Sequence, residues 1–292
     1  MKPETKSRDT VAPSPPPPQV APRAATERDV PAVLGPILDA TLRQLRLDQA
    51  DAPSAQLVQQ VADAPAVRSL RHALTAAGPR LKLIAEFKPK SPSRGWLRQG
   101  ADPRAFASAY QHAAAISVLC DREHFGGGPQ LLPLFRALAK QPLLAKGFFV
   151  DPYQLAQVRA LGADAALLIA RLLPGPALAV MLNHCTALGL EALVEVHTAQ
   201  ELEQAAAADA QIIGVNARDL DTLAIDLEGC RRLLAMVPSG RVRVAESGLE
   251  TRSEVDKLRQ FADAGHVNAV LIGTALMTAA DPAAAVTELG FS

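Results

Sequence analysis

Short apolar segments of this chain end in side chains that could carry chemistry. These residues are lysines, glutamates, an asparagine and an arginine, namely Glu86, Lys88, Lys146, Glu195, Asn216, Arg218 and Glu246. Ionisable groups in apolar segments are costly to bury unless they are paired or functional. One buried ion pair could simply fix the fold, but this many polar segment ends favour a shared functional site. Ammonium groups beside carboxylates are the residue types of general acid–base chemistry.

Small and hydroxyl-bearing residues follow the first segment and the last two segments. They are Ser91, Ser247, Gly248, Gly273 and Thr274. Backbone N–H groups of such loops and a short helix N-terminus can hold an oxyanion, and glycine lets the backbone approach it closely. These residues therefore predict a phosphate-binding site.

Two further residues near segment ends are expected to have structural roles. His197 is predicted to be a surface or capping histidine, and Cys120 a small packing residue. The three cysteines are far apart and form no CxxC pair, so neither a disulfide framework nor a zinc site is predicted. This cysteine usage is typical of a reducing compartment, and we expect a cytoplasmic location.

The elements that must position these residues alternate between two patterns. Eight apolar runs recur, at 81–87, 114–119, 141–146, 164–170, 190–196, 211–216, 241–247 and 268–273. Amphipathic stretches such as 152–162 and 198–208 lie between them and predict helices. Strands that are apolar on both faces and alternate with helices indicate a parallel sheet, and eight such units favour a single (β/α)8 TIM barrel. An open doubly wound sheet is the competing architecture, but no GxGxxG turn follows the first strand.

The residues before the barrel divide into two parts. Seven of the 23 prolines lie within the first 22 residues, so residues 1–30 are predicted to be a disordered, proline-rich arm. Residues 33–49 and 55–77 have apolar residues at helical spacing and predict an N-terminal helical extension over about 31–80. The length of 292 residues therefore suits one barrel of residues 31–292, including these helices, rather than two domains.

Charge and hydropathy exclude several classes of partner. The 30 basic residues balance the 30 acidic ones, which argues against a general binder of nucleic acids or anionic membranes. No apolar run is long enough for a transmembrane helix, and the N-terminus lacks the apolar core of a secretory signal. We expect a small-molecule anion to be bound by a local cluster of charges.

Several segments together resemble the indole-3-glycerol phosphate synthase family. The segments that carry the resemblance follow the family order and include IAEFKPKSPSRG (84–95), SVLCDREHFGGG (117–128), AKGFFVDPYQ (145–154), LVEVHTAQEL (193–202), IIGVNARDL (212–220), VAESGL (244–249) and LIGTALM (271–277). The resemblance covers roughly residues 33–290. It implies a barrel with a helical extension across its mouth.

The resemblance also implies a reaction. Members convert 1-(2-carboxyphenylamino)-1-deoxyribulose 5-phosphate to indole-3-glycerol phosphate in tryptophan biosynthesis, with loss of CO2 and water and without cofactor or metal. By this resemblance Lys146 would polarise the ketone, Glu195 would be the base and Lys88 a second ammonium. Glu86 and Asn216 would orient the lysines and the substrate. Burial or a nearby cation is expected to lower the pKa of the lysines and make them usable acids near neutral pH.

The implied binding residues form two groups. Those for the substrate are Arg218, Phe125, Lys90, Glu246 and Leu271. Those for the phosphate are Ser91, Ser247, Gly248, Gly273 and Thr274. The expected partner is a small phosphosugar, with no nucleic acid or membrane, and the chain is expected to be a monomer or weak dimer.

Two positions depart from the family pattern. The family usually has Asp after the third-strand lysine, where this chain has Gly147, and Ala217 replaces a more polar residue. The alternative to the enzyme is therefore an impaired or shifted-substrate paralogue that acts as a phosphate-ligand-binding or scaffold protein. A sister barrel, phosphoribosylanthranilate isomerase, would need a different acid–base pair, usually Cys and Asp at the ends of strand one and of strand four or six, whereas strand one of this chain offers Glu86 and Lys88.

Overall fold

A computed structural model describes residues 34–78 and 81–291 of the chain. The predicted proline-rich arm, residues 1–30, lies outside these described residues. None of the helices within the described ranges is long and apolar enough to cross a membrane.

Eight parallel strands close into one barrel. They are β1 (Lys82–Phe87), β2 (Ala115–Leu119), β3 (Leu143–Lys146), β4 (Ala165–Ile169), β5 (Glu191–Val196), β6 (Ile212–Asn216), β7 (Val242–Glu246) and β8 (Ala269–Ile272). Each strand pairs with the next along the chain, and β8 pairs with β1. Every strand lies within one predicted apolar run, and its ends differ from those of the run by at most two residues. The (β/α)8 prediction is confirmed, and the open sheet is not observed.

Helices surround this barrel and precede it. They are α1 (Leu34–Asp51), α2 (Ser54–Ala62), α3 (Leu70–Thr75), α4 (Pro103–Ala109), α5 (Leu132–Leu138), α6 (Pro152–Ala160), α7 (Ala177–Ala187), α8 (Ala199–Ala207), α9 (Leu227–Met236), α10 (Arg252–Asp263), α11 (Thr274–Thr278) and α12 (Pro282–Glu288). The side chain of Asp151 caps the start of α6 in a capping box. Gly162, just past its end, has φ +92°, as the predicted helix end requires. A short antiparallel hairpin pairs Lys90–Ser91 with Gly95–Trp96.

The N-terminal helices lie at both ends of the barrel. Leu34 and Ile37 of α1 pack on the interior cluster at the mouth, where the strands end. Leu70 and Leu74 of α3 belong to the same cluster. However, the Oγ of Ser69, which caps α3, donates to Glu191 at the start of β5. The expectation of an extension across the mouth therefore holds for α1, while α3 lies at the opposite end.

Asp164 attaches the segment before α3 to the barrel. This carboxylate is fully buried just before β4, and Arg136 Nη1 lies 2.7 and 2.9 Å from its two oxygens. The backbone N–H groups of Arg68 and Leu143 donate to the same carboxylate at 2.7 and 2.8 Å. Arg136 also donates to the carbonyl of Ala66. One side chain therefore joins β3, β4, α5 and the linker to α3.

We predict that Asp164→Ala lowers the free energy of unfolding by about 3 kcal/mol or more, because it leaves a buried guanidinium and two buried N–H groups without their acceptor. Urea denaturation at pH 7 measures this. Glu228→Ala, which breaks an exposed pair with Arg231, is the control and should cost at most about 1 kcal/mol. Equal costs for the two variants would contradict the role of Asp164.

Candidate active site

A cavity opens at the carboxyl ends of the strands, beneath α1. It encloses about 840 Å³ of empty space, including its open side. The predicted site residues that line it are Glu86, Lys88, Ser91, Phe125, Lys146, Glu195, Asn216, Arg218, Ser247 and Thr274. The barrel therefore brings together side chains that are up to 188 positions apart in the sequence, from Glu86 to Thr274.

Lys146 is the centre of a buried charge cluster. Its Nζ lies 2.8 Å from Glu246 Oε2 and 3.4 Å from Glu86 Oε1. The second oxygen of Glu86 lies 2.7 Å from Lys88 Nζ. Glu86, Lys146 and Glu246 come from β1, β3 and β7, and alternate strands of a barrel contribute side chains to the same interior layer. The predicted pairing of lysines with carboxylates is therefore present as direct contacts.

The fourth member of this layer is Glu195 of β5. Its Oε1 accepts a hydrogen bond from Asn216 Nδ2 at 3.1 Å and lies 3.3 Å from His197 Nε2. The prediction that His197 is a surface or capping residue was wrong, since its side chain is only 5% exposed. The sequence shows that His197 follows β5, but its burial depends on the loop turning the ring back against Glu195.

The carboxyl groups of Glu195 and Glu246 have different pKa values because their surroundings differ. Burial opposes ionisation of Glu195, but His197, Lys146 and Asn216 outweigh it and lower its pKa to about 2. Burial raises the pKa of Glu246 to about 7; Lys146 opposes the rise, and the charges of Glu195 and Glu86 add to it. At neutral pH Glu195 is a carboxylate, whereas Glu246 can take up or release a proton. Such a separation is typical of acid–base sites.

The expected lowering of the lysine pKa was wrong for Lys146. Burial does act to lower this pKa, but the three carboxylates Glu246, Glu86 and Glu195 raise it above its ordinary value. The ammonium therefore stays charged. Lys146 supplies a permanent positive charge, and its partner Glu246 can be either protonated or ionised.

Hydroxyl groups lie on one side of the cavity, as predicted for a phosphate site. Ser91, Ser247 and Thr274 line it from the loops after β1, β7 and β8. Ser247 has φ +69°, an uncommon conformation for a residue with a side chain. Gly248 and Gly273 are not lining residues; they allow close packing. A Cβ at Gly248 would meet Ile225, and one at Gly273 would meet the carboxylate of Glu86.

Glu246, which was also predicted to bind substrate, is buried against Lys146 and does not line the cavity. Two other predicted substrate-binding residues are placed elsewhere. Lys90 Nζ donates to the carbonyl of Glu123 at 2.8 Å and lies over Trp96, because the short hairpin turns this side chain outward. Leu271 is 4% exposed and packs in the barrel interior below the cavity. Neither contributes to the lining, and the expectation for both needs this correction.

Cys120 has the predicted packing role. Its Sγ lies 3.4 Å from the carbonyl of Val118. Burial raises the pKa of its thiol to about 12, so the thiolate needed for nucleophilic chemistry is not formed near neutral pH. Within residues 34–78 and 81–291, no group of three or more His, Cys, Asp or Glu side chains could hold a metal ion.

The apolar wall of the cavity was mostly missed by sequence reasoning. It is built by Leu34, Ile37, Phe125, Phe148, Leu167, Ile169, Leu220 and Leu223. Of these, only Phe125 is a predicted site residue; its ring centroid lies 5.8 Å from that of Phe148. The one signal in the sequence for this wall was Phe148, an aromatic residue that directly follows Lys146 and Gly147. Apolar residues in helices and strands otherwise give no sign of which cavity they face.

Two glycines make room for the carboxylates that hold Lys146. A Cβ on Gly214 would collide with Glu246 Oε1, and one on Gly273 with Glu86 Oε2. Neither glycine has a positive φ, so the constraint is space and not backbone conformation. We predict that Gly214→Ala and Gly273→Ala each lower the free energy of unfolding by about 1–3 kcal/mol through overpacking.

The control is Gly35→Ala at the start of α1, where a Cβ would have open space. This change should leave stability unchanged or raise it slightly, since alanine favours a helix. Thermal unfolding followed by circular dichroism compares the three variants. Equal stability of all three would contradict the close packing inferred at Gly214 and Gly273.

Comparison with solved structures agrees with the fold. The thiamine phosphate pyrophosphorylase of Pyrococcus furiosus has a TM-score of 0.53 at 19% identity, over 72% of this chain and 94% of that one. A mutant tryptophan synthase alpha-subunit from the same organism has a TM-score of 0.55 at 15% identity, over 71% and 97%. Identities this low show a shared barrel and nothing about chemistry.

Sequence comparison is far more specific. The model of the family "Indole-3-glycerol phosphate synthase" matches residues 35–289 of this chain. The chain is 41% identical over 251 residues to the indole-3-glycerol phosphate synthase of Rhodopirellula baltica, covering 85% of this chain and 95% of that protein. It is 44% identical over 237 residues to indole-3-glycerol phosphate synthase 2 of Streptomyces coelicolor, covering 80% and 90%. With almost the whole barrel matched, the chain belongs to the indole-3-glycerol phosphate synthase family.

Proposed function

We propose that this protein is an indole-3-glycerol phosphate synthase, a carboxy-lyase of tryptophan biosynthesis. It converts 1-(2-carboxyphenylamino)-1-deoxyribulose 5-phosphate to indole-3-glycerol phosphate, CO2 and water. Family membership supports this assignment. The observation that carries it is the position of Lys146, whose ammonium is fixed between two carboxylates in the same cavity as Glu195.

The substrate has three groups that the cavity can distinguish. The hydroxyls of Ser91, Ser247 and Thr274 would hold the phosphate. The ammonium of Lys88 and the guanidinium of Arg218 would face the carboxylate. The apolar wall, including Phe125 and Phe148, would hold the carboxyphenyl ring. With both ends fixed, the ketone between them lies near Lys146, which brings the reacting carbons together.

Ring closure forms a bond between the ring carbon that bears the carboxylate and the ketone carbon. As this bond forms, the ketone oxygen gains negative charge, and Lys146 stabilises it and donates a proton. An alkoxide is a stronger base than an amine, so this transfer is favourable even with the raised pKa of Lys146. Glu246, 2.8 Å away, can return a proton to the lysine. Loss of CO2 then returns an electron pair to the ring and restores its aromaticity.

Dehydration completes the indole. Lys88 would protonate the departing hydroxyl, and Glu195 would remove a proton from the neighbouring carbon, which carries the ring nitrogen. The C–O and C–H bonds break as the indole double bond forms, and water leaves. A carboxylate with a lowered pKa is a weak base. The short distance from Glu195 to the proton that it removes must therefore compensate for its low basicity.

Gly147 gives little support to the scaffold alternative. Lys146 already has Glu86 and Glu246 as partners, so it does not need a carboxylate at position 147 to be held in place. A side chain at Gly147 would start 3.3 Å from the Phe149 ring and 3.5 Å from Cys120 Cβ. The notion of a shifted-substrate paralogue therefore lacks a structural basis at this position.

Family membership supports a small phosphosugar as partner. The zero net charge argues against a general binder of nucleic acids or anionic membranes. Cytoplasmic location and a monomer or weak dimer stay predictions, and cell fractionation and light scattering test them.

The direct experiment incubates the purified full chain with the carboxyphenylamino-deoxyribulose phosphate and follows the appearance of indole fluorescence. Turnover without added metal or cofactor is the expected result. Retained ligand binding without turnover would instead favour the scaffold alternative. In that case Gly147→Asp would test whether residue 147 is the cause.

We predict that Lys146→Ala lowers kcat by about 100-fold or more, since a positioned proton donor contributes at least that much. Product binding, measured by calorimetry, should be largely retained because the phosphate site is separate. Lys146→Met keeps the side-chain volume and checks that the loss does not reflect misfolding. Lys140→Ala, at an exposed lysine, is the control. Full activity of Lys146→Ala would remove the lysine from the mechanism.

A further inference from the structure

His197 is a buried titratable group that the mechanism above does not use. Its ring lies between two carboxylates, with Nε2 3.3 Å from Glu195 Oε1 and Nδ1 3.2 Å from Glu201 Oε2. The backbone N–H of His197 also donates to Glu201 Oε2 at 2.6 Å. The ring and the backbone of one residue are thus held by the first turn of α8, and the free edge of the ring faces the proposed base.

Glu201 is itself fixed from the outer side. Arg171, in the short turn after β4, places Nε 2.9 Å from Glu201 Oε1. Its Nη1 lies 3.2 Å from Asp221 in the loop after β6. That loop also carries Arg218 and Leu220, which line the cavity. A continuous row of contacts therefore runs from Glu195 through His197, Glu201 and Arg171 to the loop after β6.

An imidazole between two carboxylates favours the doubly protonated form, because each ring nitrogen then lies within ion-pair distance of a negative charge. Burial acts to lower the pKa of His197, but Glu195 and Glu201 outweigh it and raise this pKa to about 9. At neutral pH the ring is then a cation. A cation 3.3 Å from Glu195 favours the carboxylate and restricts its rotation, together with the amide of Asn216.

We propose that His197 is a positioning residue, which as an imidazolium anchored by Glu201 keeps Glu195 ionised and directed into the cavity. This inference rests on the proposed function, in which Glu195 removes the proton during dehydration. A base that is surrounded by other buried carboxylates would otherwise take up a proton and lose its activity.

Other charged groups face this pair and must be considered. From β3 Lys146 favours ionisation of Glu195, and from β7 Glu246 opposes it. On the outer side a second cavity reaches His197 and is lined by Arg171, Asp219, Asp226 and Arg232, among others. Lys146 remains in every variant proposed below, so a change in the behaviour of Glu195 reports on His197.

The test is His197→Gln. This change replaces the ring by an amide donor of similar reach and removes the charge. We expect the ratio of variant to wild-type kcat to rise about tenfold between pH 4 and pH 7, because loss of an opposite charge raises a carboxyl pKa by up to about three units, here from about 2 to about 5. KM should change little, since His197 does not line the substrate cavity. His112→Gln, at an exposed histidine, is the control.

Titration of the substrate phosphate affects both enzymes equally, so it cancels in the ratio of the two kcat values. A constant ratio below one at every pH would mean that His197 only supports the fold, and it would overturn the proposal. A ratio of one at every pH would also overturn the proposal. Glu201→Gln should produce the same pH-dependent ratio with a smaller amplitude, since it weakens the anchor and leaves the ring in place.

A second measurement does not depend on turnover. With 15N-labelled histidine, NMR should show the His197 ring as an imidazolium at pH 7.5, and the signal is assigned by its loss in His197→Gln. In Glu195→Gln the titration of this ring should move to lower pH. A neutral His197 at pH 7.5, or a titration unaffected by Glu195→Gln, would overturn the proposal. If the wild type shows no turnover, the proposed function fails, but this experiment still decides whether the two groups form a charged pair.

Stability gives a third readout with a defined sign. A histidine whose folded pKa is near 9, above its ordinary value of 6.5, stabilises the fold fully below pH 6.5 and loses that contribution as pH rises through 9. The difference in free energy of unfolding between wild type and His197→Gln should therefore shrink across this range. A difference that is constant with pH would contradict a charged His197.

Discussion

The top layer of the barrel interior places three carboxylates around one ammonium, and the rest of the site depends on this arrangement. Glu86, Lys146, Glu195 and Glu246 come from alternate strands, as the geometry of an eight-stranded barrel requires. Three buried carboxylates would repel one another and take up protons if no cation lay between them. Lys146 supplies that cation, and Lys88 and His197 add positive charge at Glu86 and Glu195. Burial, together with the negative charges of Glu195 and Glu86, raises the pKa of Glu246 to about 7.

The two ends of the barrel have different tasks. At the amino end of the strands, Asp164 and the apolar side chains of α3 close the interior and attach the N-terminal linker. At the carboxyl end, α1 covers the cavity but leaves it open on one side. Stabilising contacts at one end and chemistry at the other are typical of TIM barrels. In this chain the separation means that stability can be changed at Asp164 without touching the residues around Lys146.

Errors in the interpretation of the sequence share a physical cause. The sequence predicts a lowered pKa of Lys146 from burial or a nearby cation, but three carboxylates from other strands reverse the direction. The sequence predicts a surface or capping role for His197, but Glu195 and Glu201 hold its ring inside. Lys90 was expected at the substrate because it stands between Lys88 and Ser91. The hairpin turns it toward Glu123 instead. For Lys146 and Lys90 the deciding partners lie in other segments of the chain. For His197 they are two and four residues away, but only the fold shows that the ring lies between them.

The sequence by itself determined the eight strands, the flanking helices and the family, because apolar periodicity and local motifs are properties of contiguous residues. It also identified most of the charged and hydroxyl-bearing residues of the cavity, since catalytic groups of a barrel stand where strands end. Only the tertiary structure decided which carboxylate pairs with which cation, how the pKa values of Glu195 and Glu246 separate, and which apolar residues form the wall. These properties depend on distances between strands and loops that barrel closure brings together, and electrostatic interactions vary steeply with those distances and with burial.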